Sequence, residues 1–175
     1  MTALSDTPTN INFLNPLNFQ FMLKRAPHVS FFIQEASIPS ISLVNISKPT
    51  LYMPIPSPGK IEYGDFSITY KIDEDLQNYL EIFKWMVDLG FPDTFTQYAE
   101  LAQKKQESGY GLESDISLLV LNAVQKPTYV FTMKDAFPIS LIMNPFDTTK
   151  PDVTYATATA VFKYQQMDLD FYNAG

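Results

Sequence analysis

Hydrophobic and polar residues alternate along much of the chain, and the period changes from that of a strand to that of a helix only in the middle. Phe19, Phe21 and Leu23 face one way and Gln20, Met22 and Lys24 the other, which predicts a strand ended by Pro27. Val29 to Ala36 is a run of β-branched and aromatic residues stopping near Pro39, and its short length predicts a second strand. Phe66, Ile68, Tyr70 and Ile72 alternate with Ser67, Thr69 and Lys71 as a half-buried strand. Asp73-Glu74-Asp75 then offers N-caps and first-turn acids to a helix in which Leu76, Tyr79, Leu80, Phe83 and Val87 recur at helical spacing until Gly90 and Pro92. A second helix is expected from about Asp93 to Glu107, with Phe95, Tyr98, Ala99 and Ala102 on one side, before the loop Ser108-Gly109-Tyr110-Gly111. Strands close the chain: Ile116 to Ala123, Tyr129 to Lys134 continuing through Phe137 to Met143, and Val153 to Gln165 or beyond. Strands, then helices, then strands, without βαβ alternation, predict an α+β, mainly β fold: an antiparallel sandwich or barrel with one or two flanking helices.

The stretch from Ile41 to Tyr63 breaks these patterns. Pro49, Pro54, Pro56 and Pro58 lack the amide that an interior ladder position requires, so the segment is expected at an edge or in a loop. It also carries Leu51, Tyr52, Met53 and Ile55 beside Ile41, Leu43, Val44, Ile46 and Ile61, more apolar surface than a solvated loop displays. Two readings follow: a long loop folded over its own core, or a proline-stiffened arm that docks on another subunit. Residues 1–17, rich in Thr, Asn and Pro, read as a flexible arm before a single domain at residues 18–175.

The length of 175 residues, with 46% hydrophobic and 18% charged, supports one domain with a core large enough to fold unaided. Twelve Lys and Arg against 19 Asp and Glu give a formal charge of -7, a field that repels polyanions and excludes a nucleic-acid binder held by phosphate neutralisation. With no Cys, disulfides, thiolate zinc sites, iron–sulfur clusters and cysteine nucleophiles all drop out. No apolar run reaches the roughly 18 residues of a membrane span. Met1 to Asp6 has neither the basic start nor the apolar stretch of a signal peptide, so the chain is expected to stay in the cell that makes it. The glycosylation triplet Asn45-Ile46-Ser47 is discounted for the same reason.

Candidate chemistry is sparse. The one histidine, His28, sits at a turn, and the nearby Ser30 and Ser37 lack the glycine-flanked elbow that exposes a nucleophile. Gly109-Tyr110-Gly111 is a fragment of a dinucleotide fingerprint, and Asp73-Glu74-Asp75 lacks the glycine and distal glutamate of a calcium loop. No catalytic residue, metal ligand or cofactor is assigned. A two-carboxylate hydrolase needs a pair that nothing in the sequence marks. A module that binds a partner strand at the proline-rich edge is a further possibility. Phe83 and Trp85, in Phe83-Lys84-Trp85-Met86, read as anchors holding the helix to the core.

Several pieces, in their order, resemble the tail tube protein family of contractile-tailed bacteriophages: Asn18-Phe19-Gln20-Phe21, the run from Phe32 to Pro39, the strand from Tyr63 to Tyr70, Phe83-Lys84-Trp85, Ala136-Phe137-Pro138-Ile139-Ser140, and Ala160-Val161-Phe162-Lys163-Tyr164. Each is short and degenerate, and together they cover about residues 18–171. The resemblance implies a non-enzymatic virion protein of the myovirus tail, assembled in the host cytoplasm. Six copies would form a ring, and stacked rings a hollow tube inside a contractile tail sheath. DNA would pass through without specific binding, and baseplate and tail-terminating proteins would close the ends. The family's extended hairpin, which contacts the adjoining ring, maps to about Ile41 to Tyr63, with Leu51, Tyr52, Met53, Pro54, Ile55, Pro56 and Pro58 as its candidate stacking residues. Tube initiators, baseplate or tail-completion proteins and bacterial secretion tubes share the fold. The longer arm at residues 1–17 and the fuller helical segment after Asp93 depart from a minimal tube subunit, and leave the exact station open.

Overall fold

The backbone donors and acceptors of a buried strand all need partners, and here one long strand meets that need for two sheets at once. The computed structural model describes residues 12–90, 112–146, 149 and 155–172. Among these the elements run β1 (Phe19–Leu23), α1 (Pro27–Phe32), β2 (Ile33–Ser37), β3 (Ile41–Lys48), β4 (Ile55–Tyr63), β5 (Phe66–Lys71), α2 (Gln77–Gly90), β6 (Ser114–Leu121), β7 (Pro127–Met143), β8 (Thr157–Lys163) and β9 (Gln166–Phe171). Strand β7 is 17 residues long. Its first half pairs with β6 on one edge and β9 on the other, and its second half pairs with β8, all antiparallel. β1 extends the sheet beyond β6, and β5 then β2 extend it beyond β8.

The long strand bends where it passes from one half to the other. Its register against β6 slips between Ser114 and Ile116, Asp135 adopts a φ of 53°, and the Asp135 amide donates to the Asp115 carboxylate at 3.2 Å. An extra residue in one strand of an antiparallel pair bends and twists it in this way. The two halves then face each other, with Phe21 of β1 stacked on Phe66 of β5 at 6.1 Å and Phe66 meeting Phe162 of β8 at 6.4 Å. Between them Leu23, Ile116, Leu118 and Met133 from one side bury against Ile68, Tyr70, Ala158 and Ala160 from the other. The strand order ends at β1 and β2 without joining them, so the fold is α+β, mainly β, and open rather than a closed barrel.

Some expectations change. The run from Val29 to Ala36 is not one strand: its start belongs to α1, whose first residue is Pro27, and only its end to β2. Proline has no amide to lose at a helix start and its φ is already helical, which favours this short turn. The closing strand divides into β8 and β9 at Tyr164 and Gln165. The acids before α2 lie outside its first turn; the Asp73 carboxylate still accepts from the Asn78 amide near its start at 3.4 Å. The stretch from Ile41 to Tyr63 is not a loop over the core; it is the extended hairpin that the resemblance implies, β3 with β4, separate from the main sheet. The expected helix from Asp93 to Glu107 and residues 1–11 of the arm lie outside the described residues.

Candidate functional site

The hairpin leaves the domain at a narrow base, where the Gly64 amide donates to the Ser40 carbonyl at 2.8 Å and the Tyr63 ring lies 5.8 Å from that of Tyr164. Burial there pushes the Tyr164 hydroxyl up to about 12. A Cβ on Gly64 would come within 2.5 Å of the Ser40 hydroxyl, so glycine keeps the two chain segments close. Further out, the register slips between Leu43 and Asn45, where Gly59 passes Val44 so closely that a Cβ would lie 2.6 Å from the Val44 carbonyl oxygen. At the tip, Thr50 Oγ1 accepts from the Met53 amide at 3.3 Å and donates to the Met53 carbonyl at 2.5 Å.

Prolines are compatible with this ladder because an antiparallel strand uses only alternate amides on its inner edge. Pro56 and Pro58 stand opposite Ser47 and Asn45, two residues apart, so both amide positions point to the same, outer side. The side chains around them are bare. Leu51 is 98% exposed and Tyr52 97%, and Met53, Ile55, Ile41, Leu43, Ile46 and Ile61 are each more than half exposed. Pro54 sits in the turn between the strands.

A second apolar surface lies on α2. The face that packs inward is Asn78, Ile82 and Trp85, and of the series that helical spacing first marks only Tyr79 packs against the core. Leu76, Leu80, Phe83 and Val87 form an outer stripe, each between 40% and 48% exposed. Trp85 is buried, its ring 6.1 Å from Phe162 and its indole N–H donating to the Leu112 carbonyl at 3.0 Å. Phe83 does not share that position: two residues along a helix turn a side chain by about 200°, and its half-exposed ring stacks on Tyr79 at 6.4 Å. Beside the stripe, Tyr79, Phe83, Met86, Val87 and Gly90 line a groove against Leu141 of β7.

Helix α1 is fastened to α2 by charge. Arg25, just before α1, lies 3.6 Å from Asp88 and places its guanidinium 5.0 Å over the Trp85 ring. His28 Nδ1 meets Glu81 Oε1 at 2.5 Å, and this carboxylate raises the imidazole above its ordinary value of 6.5. Ser30 accepts a hydrogen bond from the Leu23 amide at 3.1 Å. His28 and Ser30 thus have structural partners. Among the described residues no group of three or more His, Asp or Glu gathers to hold a metal ion, and no helix is long and apolar enough to cross a membrane. The distinctive property of this surface is apolar area left exposed on the hairpin and on the outer stripe of α2. The clasp of Arg25, His28, Glu81 and Asp88 was not foreseen from sequence; Pro27 at a helix start was its one local signal.

No family model matches the chain, and no curated protein matches it by sequence. Solved structures do share its fold. The tube-terminating cap of the anti-feeding prophage aligns with 98% of this chain and 100% of its own, at 13% identity and a TM-score of 0.67. A chain from the sheath/tube terminator of an extracellular contractile injection system, PVC, aligns over 92% and 99%, at 14% identity and a TM-score of 0.64. A chain of the PVC sheath-tube complex in the extended state aligns over 98% and 100%, at 13% identity and a TM-score of 0.63. The fold of this protein is therefore the tube-type fold found in those contractile assemblies.

Proposed function

We propose that this chain is a structural subunit of the inner tube of a contractile, tail-like particle. Copies associate into hexameric rings, the rings stack into a hollow rod, and a sheath surrounds it. The observation that carries this reading is the hairpin: a proline-braced projection, hydrogen-bonded only to itself among the described strands, with a bare apolar tip at Leu51, Tyr52 and Met53. Such a surface is poorly suited to a solitary molecule and well suited to repeated contacts between identical copies, where heterologous interfaces either close a ring or propagate a filament. The acidic balance fits a phage tail through which DNA moves, because carboxylates along a channel raise the energy of a nearby phosphate backbone. The reading makes the protein non-enzymatic, found in the particle and assembled in the host cytoplasm, with sheath and baseplate proteins as its further partners.

A second reading is supported by the likeness to the prophage cap over nearly the whole of both chains. A tube-terminating subunit would form one ring and stop. Negative-stain imaging of the purified chain, alone and with residues 48–58 deleted, tests both. Rods that disappear on deletion fit the tube subunit, and single annuli that do not stack fit the cap. A wild-type chain that stays solitary at high concentration, with the deletion leaving its behaviour unchanged, counts against either.

A further inference from the structure

A helix of six residues does not persist by its own hydrogen bonds, so α1 keeps its form only through what it touches. Its start has no side-chain cap, and Val29 is its buried residue. Beyond that it is tied to α2 by two charged contacts, Arg25 with Asp88 and His28 with Glu81. The chain then passes from Phe32 directly into Ile33 of β2, with no loop between. Strand β2 is the outermost strand of its half of the sheet, bonded to β5 alone, and its register slips between Ile33 and Glu35. Whatever holds α1 therefore also holds the start of that edge strand.

The two ties differ in kind. A guanidinium stays charged at ordinary pH, whereas an imidazole changes charge near neutrality. Glu81 depends on that change. One of its carboxylate oxygens meets His28 Nδ1 at 2.5 Å; the other is buried and has no hydrogen-bond partner. The Tyr70 hydroxyl, also buried and without a partner, makes no bond to it. A carboxylate so placed relies on the imidazolium for compensation, and a neutral imidazole leaves it as a partly buried charge. The groups around His28 come from every element that α1 touches. β1 carries no ionisable side chain. β5 offers Tyr70, which burial holds in its neutral form, and Lys71, whose ammonium lies 4.9 Å over the Tyr155 ring. α2 adds Asp88, engaged by Arg25, and Tyr79, stacked on Phe83. Asp73, in the turn before α2, acts on His28 in the same direction as Glu81 but more weakly.

We propose that the His28–Glu81 contact is a pH-operated latch on the edge of the sheet: a protonated His28 locks α1 to α2 and β2 along β5, and a neutral His28 lets α1 and the start of β2 open locally. β5, β8 and the second half of β7 keep their ladders without β2, so the core stays folded in both states. Glu81 favours the charged imidazole and raises it above 6.5, so the latch is closed below that value and opens as pH rises through the higher folded one. It lies within one chain and operates whether or not copies associate.

Hydrogen exchange of the full-length chain, read by mass spectrometry between about pH 6 and about pH 9 and corrected for the intrinsic pH dependence of exchange, tests the latch. Protection across α1 and β2 is expected to fall severalfold over that range in the wild type, while β8 keeps its own. The His28 side chain is 53% exposed, so substitutions there leave the core intact, and β8 protection verifies this in each variant. His28→Gln is neutral throughout and is expected to show low protection of α1 and β2 at both ends of the range. His28→Lys is cationic throughout and is expected to show high protection at both ends. Corrected protection that does not change with pH in the wild type overturns the latch, and so does a pH step that survives in His28→Gln. An equal loss in β8 makes the opening global and overturns it as well.

Discussion

Trp85→Ala is the most informative single perturbation of the folded subunit, because several independent contacts converge on one ring. Trp85 is fully enclosed, touches Phe162 across the core, donates its indole N–H to the Leu112 carbonyl and lies beneath the Arg25 guanidinium. Removing a buried large aromatic costs roughly 3–5 kcal/mol through lost transfer energy and an unfilled cavity. The stranded carbonyl and the lost cation–π contact bring the expected total to about 4–6 kcal/mol. That is a large share of the roughly 5–15 kcal/mol that holds a typical domain together. For a chain of this size it corresponds to a fall in melting temperature of roughly 10–20 °C. Trp85→Phe keeps most of the apolar volume and loses the N–H donor, for an expected cost of about 1–2 kcal/mol. Phe83→Ala, on the half-exposed stripe, should cost less than about 1.5 kcal/mol. Urea unfolding followed by far-ultraviolet circular dichroism measures all three, since the substitutions at Trp85 remove the only tryptophan fluorophore. A cost below about 1 kcal/mol for Trp85→Ala, or an equal cost for Phe83→Ala, would refute the assignment of the anchor to Trp85 alone.

Gly59→Ala places a methyl group against the Val44 carbonyl oxygen, and backbone must move to admit it. The hairpin should distort and assembly should weaken, while the melting temperature of the solitary subunit stays nearly the same; scattering and calorimetry on one preparation separate the two. The His28–Glu81 contact predicts a pH effect of definite sign. Glu81, with a smaller contribution from Asp73, raises His28 in the folded state above 6.5, so its stabilisation is complete at pH below that value and fades as pH rises through the higher folded value. The titration of the single histidine, followed by NMR, should therefore be displaced upward and should return toward the ordinary range in Glu81→Gln. A wild-type histidine that titrates at or below 6.5 would remove the clasp.

The strands that sequence placed well are those in which polarity alternates sharply and one face is closed off by neighbours. In β5, Phe66, Ile68 and Tyr70 are buried while Ser67, Thr69 and Lys71 are not, and β8 repeats this with Ala158, Ala160 and Phe162. The existence of α2 was equally plain, but its inner face was not. Leu76, Leu80, Phe83 and Val87 form a helical series as good as Asn78, Ile82, Trp85 and Leu89, and periodicity alone cannot say which turns inward. The short helix α1 was hidden by β-branched and aromatic residues that suit a strand, in a run where the two cannot be told apart by period. Strand β9 alternates cleanly, with Met167, Leu169 and Phe171 between Gln166, Asp168 and Asp170, and was obscured only by following β8 directly. In the hairpin, the prolines exclude only an interior strand; a two-stranded ribbon leaves an outer edge where a missing amide costs nothing, and composition alone does not separate that edge from a loop. The apolar excess of that segment was legible from its composition, whereas the division of its side chains between two faces needed the register.

The bend in β7 has a mechanical consequence. Because the same backbone serves both halves of the core, a force applied to β6 reaches β8 through covalent bonds instead of across a seam of side chains. Each half keeps its own ladder partners, so what couples them is this one backbone and the core they share, whereas the small satellite ribbon β3–β4 has a ladder of its own and is free to fray on its own schedule.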